Sequence, residues 1–220
     1  MNLNNRIAEW LKEIKEKGTP VEVTSFFEEL PIRVKVKLLD FDDKFLQWES
    51  NPKLTLAADY AGKLFFYFND PSFGTKRLLE APVTYYGKKM VETAFPTPSA
   101  DPRFERELLR VTVSEKAPVK GSIIKEEELP VRVRDLSEEG VGIIVPKGKL
   151  KMGDELEVNL LVNGIPIKGK GKVVRIEPHS EGELAGIKFT SLDRKGKRVL
   201  CDYIIRRQRE ILNQIRLLTE

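Results

Sequence analysis

Two short runs in this chain carry groups able to do recognition chemistry. Arg106-Glu107-Leu108-Leu109-Arg110 sets two guanidinium groups four residues apart, and Asp135-Leu136-Ser137-Glu138-Glu139-Gly140 has the spacing D-x-S-x-x-G. A guanidinium is a planar fork. It bonds phosphate oxygens bidentately, matches the O6 and N7 edge of guanine, and stacks on purine faces. A carboxylate such as Asp135 accepts hydrogen bonds from the N1–H and N2–H₂ edge of guanine, or holds an arginine in place. Ser137 offers a short hydroxyl, and Gly140 permits a tight turn and close backbone approach. Each run alone has a plainer reading: solvated linker charges for the first, and for the second a polar turn with Gly140 as its left-handed residue. Their order and separation of about 25 positions, with β segments between and after, are far more specific than either.

Other chemistries find little support. One cysteine, Cys201, and one histidine, His179, leave no internal disulfide framework and no Cys/His zinc cluster within one chain. Neither is assigned a role: Cys201 reads as a packed small residue of a helix and His179 as part of an exposed turn. No nucleophile–base pair, metal cluster or glycine-rich phosphate loop is evident, so no enzyme, no metal and no cofactor is expected. The formal charge is +4 over 220 residues. Residues 1–100 hold 14 basic and 14 acidic side chains, so the excess of 24 over 20 lies in 101–220, the better place for an anionic ligand. No run approaches the ~20 apolar residues of a membrane span, and the start has no apolar signal core, which predicts a cytoplasmic protein.

These groups need elements to hold them. Ile7, Trp10, Leu11 and Ile14 repeat at helical spacing, with Asn4 or Asn5 as cap and Gly18 as stop. The chain then turns to strands. PIRVKVKLLD alternates, Asp40 to Asp43 reads as a turn into KFLQWE, and KLFFYF and APVTYYGKKMVETAF follow, while TLAADYAG is open between helix and loop. PTPSADPRFER lacks periodicity and reads as a linker. Beyond it come LLRVTVSE, VKGSII, PVRVRDLS, GVGIIVP, DELEVNLLV, IPIKGKGKVVRI and LAGIKF, with Asn163-Gly164 as a hairpin signal. So many short strands suggest a closed antiparallel barrel. From about Asp193 a helix carries Leu200, Ile204, Ile211, Ile215 and Leu218 on one stripe, with Gln208 its polar member. That stripe either covers the barrel or the first domain, or pairs with a second copy.

Residues 103–220 resemble the PilZ family, whose members bind the bacterial second messenger cyclic di-GMP. Arg106 and Arg110 match its first motif; Asp135, Ser137 and Gly140 match its second. VRDLSEEGVGIIVP resembles the family's run of strand, motif and apolar strand, and LAGIKFTSLD its closing strand. Many relatives place another arginine directly before the first motif; here Glu105 stands there, with Arg103 further back. The final helix with IIRRQREI resembles the two-domain, YcgR-like flagellar-brake type. The resemblance implies a mainly β protein of two β-rich domains. Residues 1–102 would be the N-terminal domain with its leading helix. Residues 103–220 would be a six-stranded antiparallel barrel followed by a long helix. It implies a non-enzymatic receptor that changes interdomain orientation on binding cyclic di-GMP and acts on a protein target, such as flagellar motor components; the apolar stripe of the final helix separately allows a dimer through that helix. The competing reading is a nucleic-acid-binding β-barrel.

Overall fold

The computed structural model describes residues 2–70 and 72–220. They form two compact units, residues 1–105 with 213–220, and residues 106–212. In the first, helix α1 (Leu3–Lys17) leads into strands β1 (Val21–Phe27), β2 (Leu30–Val36), β3 (Leu38–Phe41) and β4 (Phe45–Glu49). Helix α2 (Pro52–Ala61) then precedes β5 (Lys63–Asp70), β6 (Thr75–Tyr86), β7 (Met90–Ala94) and β8 (Thr97–Pro98). The strands make one sheet in the order β2-β1-β5-β6-β7-β4-β3, with β8 on β6. Ile7, Leu11 and Ile14 of α1 are buried with Trp48, Phe66 and Phe68 in its core. The cap of α1 is Asn2, whose Oδ1 accepts from the Asn5 amide at 2.9 Å, so the helix starts earlier than Asn4 or Asn5 would set it. TLAADYAG is helical, because Asn51 caps α2 and Gly62 ends it in the left-handed region.

The expected linker is largely structured. β8 pairs with β6, Ser99 Oγ bonds Glu80 at 2.7 Å, and Asp101 caps a 3-10 turn over Pro102–Phe104. Phe104 lies against Phe26 and Phe65, with centroids 5.7 and 5.1 Å away, and Arg103 stacks 3.9 Å over Phe26. Proline and polar residues hid this because the anchors are two side chains that meet residues about 40 and 80 positions away.

The second unit is the expected barrel. Strands β9 (Arg110–Thr112), β10 (Lys120–Ile124), β11 (Glu128–Ser137), β12 (Gly140–Val145), β13 (Glu155–Val162), β14 (Ile165–His179) and β15 (Gly182–Leu192) are all antiparallel. The order β10-β13-β14-β15-β12-β11 closes through a β10–β11 pairing, giving six strands in a ring, and β9 adds to β11. Asn163 and Gly164, at φ 50° and 77°, form the tight β13–β14 turn. Val111, Leu136, Val141, Ile143, Val158 and Ile187 fill the interior. Helix α3 (Arg194–Thr219) contributes Leu200, Tyr203 and Ile204 to this core, whereas Leu218 is exposed. The chain is therefore mainly β, with two β domains and a C-terminal helix. No described helix is long and apolar enough to cross a membrane.

One loop makes a pH prediction. Asp154, ahead of β13, accepts from Lys125 Nζ at 2.8 Å and from the Lys151 amide at 2.8 Å, and these hold its carboxyl below the ordinary value. A depressed folded-state value means the stabilisation exists above the unfolded value and is lost as pH falls through the folded one. Urea midpoints of wild type and Asp154→Asn should differ modestly at pH 7 and converge below the ordinary carboxylate range. A gap that widens on acidification would contradict this.

Candidate functional site

The two runs meet on β11. Its residues Glu128–Arg132 pair with β10, and Asp135–Ser137 pair with β9 along the same edge. That register sets Arg110 opposite Ser137 and Thr112 opposite Asp135. Arg110 therefore opens a strand rather than riding in the linker; Arg106 stays in the irregular segment before it. On the other edge, β12 sets Gly140 opposite Ser137 and Gly142 opposite Asp135. Between Val133 and Asp135 the register slips, leaving Arg134 as a bulged residue. Val131 and Val133 face the core before the bulge and Leu136 after it, so the alternation flips. Asp135 and Ser137 are thereby turned to the face opposite the core. Arg110, Thr112, Gly140 and Gly142 share that face, because their strand neighbours Val111, Val141 and Ile143 are core residues.

The centre of the site is a buried carboxylate. Asp135 is fully buried, with Oδ1 3.2 Å from Arg110 Nη1 and Oδ2 accepting from Arg134 Nε at 2.8 Å. Neighbours in a regular strand point apart; the bulge is what lets Arg134 reach the residue next to it. Oδ1 makes no hydrogen bond, since Arg110 stands at ion-pair distance outside hydrogen-bond geometry. A carboxylate oxygen in this state has a strong demand for a donor. Ser137 Oγ donates to the Gly140 carbonyl at 3.3 Å across the turn. Gly140 is not in the left-handed region; what it supplies is space, since a Cβ there would lie 2.5 Å from the Ile187 carbonyl oxygen. A Cβ on Gly142 would lie 2.5 Å from Asp135 Oδ2, so the carboxylate occupies the room that this glycine leaves.

Residues 102–206 match the family model described as PilZ domain. The chain carries a PilZ domain. An uncharacterized protein of Aquifex aeolicus (strain VF5) is 27% identical over 112 residues, which cover 51% of this chain and 54% of that protein. The match thus spans about half the length of that relative. Among solved structures, the Bacillus subtilis inhibitor of motility MotI/DgrA is 16% identical over 88% of this chain and 97% of its own, with a TM-score of 0.45. YcgR from Escherichia coli in complex with c-di-GMP is 14% identical over 96% and 93%, TM-score 0.48. The K. pneumonia MrkH–c-di-GMP complex is 16% identical over 94% and 96%, TM-score 0.44.

Several residues around the PilZ motifs escaped sequence reasoning. Arg134 and Gly142 sit beside and opposite Asp135, but their roles depend on a bulge and a register that residue types do not reveal. Arg207 of α3 donates from Nε to the Thr112 carbonyl at 3.0 Å. Tyr203 accepts from the Ser114 amide at 3.2 Å and donates to the Ala117 carbonyl at 3.0 Å. Both side chains of α3 thus hold the strand that carries Arg110 and the loop after it. Burial, with the neighbouring Glu138 charge, pushes the Cys201 thiol up, away from thiolate reactivity. The lysines of KGKGK are exposed, but Glu157 stands opposite Lys170 and Glu155 opposite Lys172, which breaks up a basic stripe. Among the described residues no group of three or more His, Cys, Asp or Glu is placed to hold a metal.

Proposed function

We propose that this chain is a cyclic di-GMP receptor, with Arg106, Arg110, Asp135, Ser137 and Gly140 as ligand-binding residues. The observation that carries the reading is the β9–β11–β12 register. Two motifs 25 positions apart in sequence become neighbours around one buried carboxylate whose Oδ1 lacks a hydrogen bond. Guanidinium forks suit the two phosphates and the guanine acceptor edges, and the carboxylate suits the guanine donor edge. Arg106 lies four residues upstream of Arg110 in the irregular stretch, from where it closes over the bound ligand.

In this reading residues 103–220 are the receptor module and residues 1–102 the output module. Ordering of the stretch around Arg106 on ligand binding changes their relative orientation, a hinge switch acting on a protein target of the flagellar motor class. Pairing of two copies through α3 belongs to the same reading. Four residues of the expected stripe, Leu200, Ile204, Ile211 and Ile215, are buried within the chain, so pairing would use the exposed Ile205, Leu212 and Leu218, and light scattering of the purified chain tests it.

Calorimetric titration of the full chain with cyclic di-GMP should release or absorb heat and raise the thermal midpoint, with GTP as a silent control. Absence of both effects would refute the receptor reading. Small-angle scattering with and without ligand should differ; superimposable curves would reject the switch and leave binding intact.

A further inference from the structure

The face that carries the two motifs continues past Gly142. Along one row of the barrel, Asp135 is opposite Gly142, Gly142 is opposite Gly186 on β15, and Gly186 is opposite Arg175 on β14. Directly paired residues share a face, so the two glycines lie side by side without side chains. Each glycine is overlain by its outer neighbour. The Asp135 carboxylate fills the Cβ position of Gly142, and the Arg175 side chain lies over Gly186, with Nε 3.7 Å from where a Cβ would be. The two side chains therefore approach each other across a floor of two glycines. Arg175 reaches this face through a second bulge, between Val173 and Arg175, which flips β14 as Arg134 flips β11.

The two ends of the floor carry the same chemistry. At one end Arg110 stands 3.2 Å from Asp135; at the other Arg175 Nη1 stands 3.4 Å from Glu177 Oε1. Asp135 and Arg175 are three strand spacings apart at the backbone, about 14 Å, and their side chains lean inward. A ligand made of two identical halves, each with a phosphate and a purine, presents the same acceptors to both ends.

Resting on the receptor reading above, we infer that Arg175 is a third ligand-binding guanidinium, which takes an acceptor pair of the far half of the cyclic dinucleotide across the Gly142–Gly186 floor. The shared chemistry of phosphate oxygens and the guanine O6/N7 edge defines what it holds. Arg175 is not one of the motif arginines and lies 65 positions after Arg110.

The test is calorimetric titration of the full chain and its variants with cyclic di-GMP, alongside thermal midpoints. Arg175→Ala should weaken binding about tenfold or more, the scale of losing one charge-assisted hydrogen-bond set. Its thermal midpoint should move little, because the Glu177 carboxylate it pairs with is exposed and Arg175 itself is only half-buried. Arg175→Glu should weaken binding further, and Arg175→Lys should recover part of the loss. If wild type binds, Arg110→Ala does not, and Arg175→Ala matches wild type, this inference is overturned while the receptor reading stands. A loss of affinity that only tracks a fallen midpoint, with no recovery in the lysine variant, also overturns it. A wild-type chain that binds nothing removes the receptor reading and this inference with it.

Discussion

Replacing Arg110 with alanine is expected to weaken cyclic di-GMP binding by at least about 2 kcal/mol, roughly thirtyfold, the scale of losing charge-assisted hydrogen bonds. The same change should lower the thermal midpoint, because Arg110 is also the ion-pair partner of Asp135 Oδ1, an oxygen that is buried and makes no hydrogen bond. Removing one partner of a buried pair leaves a desolvated charge. Here Arg134 stays on Oδ2 and limits the damage. Two losses from one substitution need separating, and Arg110→Lys does this. A lysine restores positive charge beside Asp135 but lacks the planar fork that phosphate and guanine match. Stability should therefore return in the lysine variant while affinity stays low. Calorimetry and thermal melts on the three proteins check it, and an alanine variant that binds as wild type does would sink the assignment.

Much of the architecture was legible in the sequence because it rests on local signals. Ile7, Leu11 and Ile14 are a helical stripe wherever the helix packs, and Gly18 ends it by a left-handed turn that only local geometry demands. Asn163-Gly164 fixes a hairpin for the same reason. Elsewhere residue types leave the local state open or conceal what anchors it. TLAADYAG has the weak amphipathicity of either state, and its caps Asn51 and Gly62 settle it. The proline-rich stretch after Phe95 looks like a linker, yet Phe104 and Arg103 tie it to Phe26 and Phe65 of two central strands. Strand β9 shows the opposite case. LLRVTVSE alternates over eight residues, but only Arg110–Thr112 pair as a strand. The chain then leaves the ladder for a turn closed by Ser114 and Ala117, both bonded to Tyr203 some 90 positions on.

The site divides along the same line. Motif spacing singles out Arg106, Arg110, Asp135, Ser137 and Gly140, and the register brings the last four onto three adjacent strands. What spacing cannot give is the face each residue takes. In an unbroken strand, Asp135 would share the core face of Val131 and Val133, and a carboxylate would sit in the barrel interior. One bulged residue, Arg134, reverses the alternation. Such a slip leaves no mark in residue type. Gly140 was legible as a needed glycine, and of the reasons its sequence offers the close backbone approach holds, at the Ile187 carbonyl, and the left-handed turn does not. Gly142 had no motif to mark it, although its requirement is equally steric.

Gly142→Ala is therefore expected to unseat Asp135 and to damage both fold and binding. The new Cβ would stand 2.5 Å from Oδ2 and 2.7 Å from Cγ and Oδ1 of that residue, far inside ordinary contact. Asp135 cannot retreat along the backbone, since its strand is paired on both edges. The carboxylate must rotate out, which breaks the 2.8 Å bond to Arg134 and moves it from Arg110. Overpacking of this kind costs about 1–3 kcal/mol, and binding should fall at least about tenfold with loss of the acceptor. Gly186→Ala is the matched control on the next strand. Its Cβ would come no nearer than 3.4 Å to anything, an ordinary contact, so stability should hold. A double-mutant cycle isolates the cause. In an Asp135→Ala background the clash has no partner, and Gly142→Ala should then cost little stability. If denaturant midpoints show Gly142→Ala costing as much in that background as in wild type, the carboxylate is not what this glycine makes room for, and Asp135 loses its claim to a built seat.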